Sequence, residues 1–178
     1  MTTAEYFSTK ETVLPAELAY GVLTVADAPV VRHQRVVRDL TILLTAFTTE
    51  RGLGEVLPAP IDVVLDRDRA LVVQPDVLFV ASARASIVSD RIEGPPDLAI
   101  EVLSPRPRIG QVEEKVSWYA RYGVSECWLV DLDRRQIAVL TLADGRVASR
   151  EGFSSEQTIR TTVLDGLMLR PAQVLGWW

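Results

Sequence analysis

The stretch from Asp97 to Leu132 restricts the possible folds of this 178-residue chain more than any other part of it. Two β-rich apolar runs, 97–103 and 125–132, flank a segment at 111–122 whose apolar residues recur at helical spacing, ending at Gly123. Strand, helix and strand in that order predict a βαβ-like crossover, the connection that lets two strands of one sheet run parallel. A second and longer helix is predicted over 30–51. There His33, Val36, Val37, Leu40, Leu43, Leu44 and Phe47 fall on one arc, and Gly52 and Gly54 follow as terminators.

The remaining segments read mostly as strand. A first strand is expected over 17–23, with others at about 55–59, 61–66, 70–73 and 76–81, the last two separated by a bend or edge at Pro75. Residues 82–96 read as loop, 136–142 and 146–150 as a β-meander, and 158–164 as one more strand. Residues 1–15 form either a loose arm or a short cap. The expectation is an α/β fold in a single domain covering 1–178.

Composition narrows the function classes. A single cysteine, Cys127, excludes an internal disulfide framework and fits a reducing cytoplasm. One Cys and one His cannot build a zinc site of the Cys/His kind. No apolar run reaches the length of a membrane span, and the N-terminus has no secretory apolar core. With a net charge of −5 the whole molecule does not attract nucleic acid, so a DNA partner would need a local basic patch. Of 19 basic residues only Lys10 and Lys115 are lysines, leaving 17 arginines.

Chemistry enters through acids in apolar places. Glu101 interrupts the run 97–103, and Asp76 opens the run 76–81 directly after Pro75. A buried carboxylate is costly unless it is paired or binds a metal. Side chains alternate along a strand, so Asp97, Ala99, Glu101 and Leu103 share one face. If the two strands are neighbours, Asp76 and Glu101 converge on a hard cation such as Mg²⁺ or Mn²⁺, with the Val102 carbonyl as a further ligand. Such an ion keeps several waters and prepares one of them to attack a phosphodiester. On the 111–122 wheel Lys115 lies on the inward arc with Val112, Val116, Tyr119 and Tyr122. From there it could orient or help deprotonate the attacking water, or stabilise the transition state.

The segments Gln74-Pro75-Asp76-Val77, Pro95 through Pro105, Lys115 with Tyr119, and Gly123 through Asp131 together resemble the Uma-two family of restriction-endonuclease-like proteins, within the PD-(D/E)XK nuclease superfamily. The resemblance runs from about Glu17-Leu18 through His33 to about residue 142. It implies a restriction-endonuclease-like mixed central sheet flanked by helices, with an added β-meander. It also implies a Mg²⁺- or Mn²⁺-dependent endonuclease acting on DNA, with Asp76 and Glu101 as the motif acids. The motif lysine would fall at Leu103; in the resembled family it comes instead from the following helix, here Lys115. Two positions depart from the family pattern: Gln111 replaces a frequent aspartate, and Cys127 a frequent tyrosine.

Each candidate also has a plainer reading. Asp76 could be a turn residue after proline, and Glu101 with Lys115 an interior ion pair. His33 reads first as a packed core histidine and second as a supporting residue of the site. Cys127 reads as a small hydrophobe. Arg32, Arg35 and Arg38 read as a solvated face, whereas Arg106 and Arg108 border the acids and are better placed for phosphate. Trp177 and Trp178 are expected to pack on the body or on a second subunit. A homodimer is expected of an enzyme that cuts two strands. The competing reading is a catalytically degraded nuclease fold serving as a dimeric or nucleic-acid-binding scaffold.

Overall fold

The computed structural model describes residues 1–9, 15–103 and 112–176. Two sheets carry the fold. The larger takes β3 (Gly54–Pro58), β6 (Val77–Ala81), β7 (Leu98–Leu103), β8 (Glu126–Asp131), β9 (Gln136–Ala143) and β10 (Arg146–Ser154) in the spatial order β10-β9-β8-β7-β6-β3. Only β7 and β8 run parallel, and α3 (Val112–Tyr122) connects them, as the predicted crossover requires. The smaller sheet orders β2 (Val22–Val25), β1 (Ala16–Ala19), β5 (Leu71–Val73) and β4 (Val63–Asp66), all antiparallel.

The large sheet is apolar on both faces, as expected of strands covered on both sides. On one face Val77, Phe79, Leu98, Ile100, Trp128 and Val130 pack against Val36, Val37, Leu40 and Leu44 of α2 (Val31–Arg51) and against Val174 and Leu175 of α4 (Pro171–Leu175). On the other, Leu78, Val80, Ala99, Cys127, Leu129 and Leu140 meet Val116, Tyr119 and Ala120 of α3 and Val63, Leu71 and Val73 of the small sheet. Gly54 marks a close approach at the start of β3, where an added Cβ would lie 2.1 Å from the Val80 carbonyl oxygen.

Two expectations need correction, and one open alternative is decided. The single strand expected over 17–23 is a hairpin of β1 and β2, because Tyr20 (φ 50°) and Gly21 (φ 88°) adopt the paired positive-φ turn that joins tightly twisted strands. Of the two readings of the N-terminus, the cap describes residues 1–9: α1 (Thr3–Ser8) is capped by Thr2 and Glu5, and the Tyr6 hydroxyl bonds to the Ala16 carbonyl and Asp62 Oδ1. No strand forms over 158–164. That segment is held instead by the fully buried Glu126, whose carboxylate accepts from Trp128 Nε1 at 2.7 Å, Thr161 Oγ1 at 2.6 Å and both N and Oγ1 of Thr162. The β-rich pattern over 158–164 cannot reveal that a distant acid will take two of its hydroxyls and a backbone N–H.

The reading of Cys127 as a hydrophobe holds: it is fully buried, and burial pushes its thiol pKa up. Trp177 and Trp178 lie outside the described residues. Among those described, no helix is long and apolar enough to cross a membrane.

The Glu126 anchor generates a stability prediction. Glu126→Ala strands four donors at once, and urea unfolding should show a loss of about 3 kcal/mol or more. Glu151→Ala, which removes an exposed pair with Arg160, should cost under about 1 kcal/mol in the same measurement.

Candidate active site

The two sheets are joined where the chain leaves β5, passes Gln74-Pro75-Asp76 and enters β6. Pro75 lacks an N–H and suits this passage, because no ladder bond is lost there. Gln74 fastens the passage on three sides. Its side-chain oxygen accepts from Ala16 N, its amide nitrogen donates to Asp62 Oδ1 at 2.9 Å, and its backbone N donates to Glu17 Oε1 at 2.8 Å.

Asp76 emerges beside β7. In the antiparallel register Val77 faces Ile100, so one step back places Asp76 opposite Glu101. Asp76 Oδ2 accepts from Val102 N at 2.7 Å, and Oδ1 lies 3.3 Å from His33 Nε2 at the start of α2. The neighbouring-strand condition for convergence of the two acids is therefore met. Asp76 is not a free turn residue; both oxygens are directed by groups of the site.

Helix α3 delivers the cation. Lys115 and Tyr119 are four residues apart and share a face, and both are buried against the sheet. Lys115 Nζ lies 2.7 Å from Glu101 Oε1 and 2.8 Å from Glu17 Oε1, while Tyr119 donates to Glu101 Oε1 at 2.5 Å. The geometry thus collects Glu17, Asp76, Glu101, Lys115, Tyr119 and His33 from five elements. Of the other candidates, Arg106, Arg108 and Gln111 lie outside the described residues. Arg32 pairs with Asp133 at 2.8 Å and Arg38 with Asp39 at 2.7 Å, as a solvated helix face would.

Glu17 was missed as a site residue. It is an acid in the short apolar run Ala16-Glu17-Leu18-Ala19, the same signal that singled out Glu101. Leu18 points into the small-sheet core beneath α1, which turns Glu17 the other way, toward Lys115. The hydroxyl role of Tyr119 was also missed, although its inward position was legible from the wheel.

The electrostatics follow from burial. Desolvation pushes the Glu101 pKa up; the Lys115 ammonium opposes this, and the carboxylates of Asp76 and Glu17 reinforce it, leaving Glu101 at about 7. Burial would drive Lys115 toward neutrality, but Glu101 and then Glu17 overcome it and hold the ammonium firmly protonated. Burial likewise disfavours the His33 imidazolium, yet the Asp76 carboxylate, with Glu101 and the Val102 backbone behind it, raises the His33 pKa.

For a metal, the donor set is small. Among the described residues no three His, Cys, Asp or Glu side chains are placed together to hold an ion. Asp76 and Glu101 with the Val102 carbonyl still fit Mg²⁺ or Mn²⁺, which are commonly held by one or two carboxylates and complete their shell with water. The carboxylates of Glu17, Asp76 and Glu101 outnumber the Lys115 ammonium here, and Glu17 Oε2 is buried without a hydrogen-bond partner, so a cation would be favoured at this spot.

The same pKa predicts a pH effect. The folded state holds a proton on Glu101 more firmly than the unfolded chain does. Its stabilising share is thus full below about 4.5 and lost as pH rises through about 7. The urea midpoint should fall across that window, and Glu101→Gln should flatten the fall.

Comparison with known proteins bears on the family and the fold. The Uma2 family model, described as "Putative restriction endonuclease", matches residues 4–172. A crystal structure of "a putative nuclease belonging to DUF820" from Anabaena variabilis superimposes with a TM-score of 0.85 at 16% identity, covering 99% of this chain and 98% of that one. No curated protein matches the sequence. With a family match over nearly its whole length, two sheets flanked by helices, and acids meeting a lysine at their junction, this chain belongs to the Uma2 family and has its restriction-endonuclease-like fold.

Proposed function

We propose that the protein is a Mg²⁺- or Mn²⁺-dependent endonuclease that hydrolyses DNA phosphodiester bonds. The observation that carries this reading is the pairing of Asp76 with Glu101 across adjacent strands, with Lys115 bonded to Glu101. Asp76, Glu101 and the Val102 carbonyl would hold the cation, which supplies Lewis-acid charge at the scissile phosphate.

The protein's own groups divide the remaining work. Lys115 keeps its proton, so it acts as a donor and a fixed positive charge rather than as a base. Two of its three N–H bonds go to Glu17 and Glu101, and the third can orient a water or a phosphate oxygen. Glu101 must be ionised to hold the cation, so its raised pKa of about 7 without metal sets the pH range over which the site becomes ready to bind. Tyr119 and Lys115 both bind Glu101 Oε1, which fixes the carboxylate and turns Oε2 toward any incoming group. His33 and the Val102 N–H fix Asp76 in the same way.

A degraded-scaffold reading draws on the absence of a three-ligand cluster among the described residues. Calorimetry separates the two. The nuclease reading expects Mn²⁺ binding that vanishes in Asp76→Ala and tightens from pH 6 to pH 8 as Glu101 loses its proton, an interval set by its pKa of about 7. In a plasmid-nicking assay with Mg²⁺ or Mn²⁺, Lys115→Ala should lower the rate by about 10²-fold or more. Metal binding that survives Asp76→Ala, or no cleavage of any DNA with either ion, would overturn the proposal.

A further inference from the structure

We infer that a groove running from the end of β7, two residues beyond Glu101, to β10 holds one unpaired strand of DNA on its way from the scissile phosphate. The inference takes its direction from the nuclease reading, but the groove itself is independent of metal chemistry. It is about 1010 Å³ in volume and opens between α3 and the β9–β10 hairpin, beginning at Leu103, two residues past Glu101 on the same strand face.

The sheet register shows why the groove leads away from the acids. Across neighbouring strands Glu101 faces Leu129, Leu129 faces Ala138, and Ala138 faces Gly152, so one row of side chains runs from the acid to the sheet edge. Leu129, Ala138 and Leu140 make the floor, and Val116 of α3 makes a wall, all apolar. Arg150 faces Leu140 in register and so projects on the same side; Arg146 lines the groove from the start of β10.

These two arginines are exposed, and among the described residues their guanidinium groups make no ion pair or hydrogen bond. Elsewhere Arg32, Arg38, Arg51, Arg67, Arg160 and Arg170 have carboxylate partners, whereas Arg121 and Arg135 are exposed and, among the described residues, unpaired like Arg146 and Arg150 but do not line this groove. Charge on an edge strand discourages pairing with other chains, and that role needs no groove. Here, however, the free cations flank a trough with an apolar floor that starts two residues beyond Glu101. The groove's own acids are Glu113 and Asp131, and Asp131 is already engaged by Arg134 at 3.8 Å and by the backbone N–H groups of Asp133 and Arg134.

A trough with cations on one rim and an apolar floor fits a single strand, with phosphates on the arginines and bases or sugars on the floor. A duplex hides its bases and has no use for that floor. That the strand is DNA rather than RNA rests on the nuclease reading.

The test is fluorescence anisotropy with a labelled single-stranded oligodeoxynucleotide of about 12 nucleotides, in EDTA so that no cleavage intervenes. The Arg146→Ala/Arg150→Ala double variant should bind about tenfold more weakly, and its log–log salt slope should flatten by about 1.4. Arg69→Ala, away from the groove, should stay within about twofold of the parent, and the Arg146→Lys/Arg150→Lys variant should retain most of the affinity. Because the strand is measured without metal, a parent protein that binds the strand but no Mn²⁺ would sink the nuclease reading and leave this one standing. Undiminished binding in the double alanine variant would overturn the inference. So would no binding by the parent, or equal affinity for duplex DNA or single-stranded RNA.

Discussion

A protonated amine buried under a helix can persist only if carboxylates reach it, and Lys115 meets this condition with two acids from two different sheets. Much else in the molecule follows from that constraint. Glu17 must come from β1 and Glu101 from β7, so the small sheet and the large sheet have to close on one another with α3 against both. An ion pair of this kind adds little net stability compared with apolar residues, yet breaking it by removing one partner is expensive. The chain therefore keeps the triad at a place where hydrophobic packing would serve folding at least as well.

Around that triad the backbone does the aligning. Asp76 takes its position from a β6–β7 register, a hydrogen bond to Val102 N and a passage clamped by Gln74. The small sheet, seemingly remote from the acids, controls both Glu17 and the approach to Asp76. Substitutions in its core, at Leu18 or Val72 for instance, would be felt at the site through these bonds without touching it.

The fold was largely legible because its strongest signals are local. The 3.6-residue arc of α2, the apolar runs of β7 and β8 and the helix between them each sit within one short window. Glu101, Asp76 and Lys115 stood out for the same reason, as charged residues in apolar surroundings. What escaped notice depends on distance. The turn at Tyr20-Gly21 demanded positive φ from a tyrosine, which pattern alone does not announce. Segment 158–164 looked like a strand until Glu126 claimed its donors. Glu17 carried the right local signal, but its meaning lies in Lys115, far along the chain. Arg146 and Arg150 read as an ordinary meander until the register placed them beside the trough.

The order of the triad along the chain bears on how the protein comes to be built. During synthesis Glu17, Asp76 and Glu101 all leave the ribosome before Lys115 does. Until then the closing sheets would confine three acids together with no ammonium among them. The ammonium is thus the last of these four charges to be made, and a compensated site cannot exist before α3 has been added.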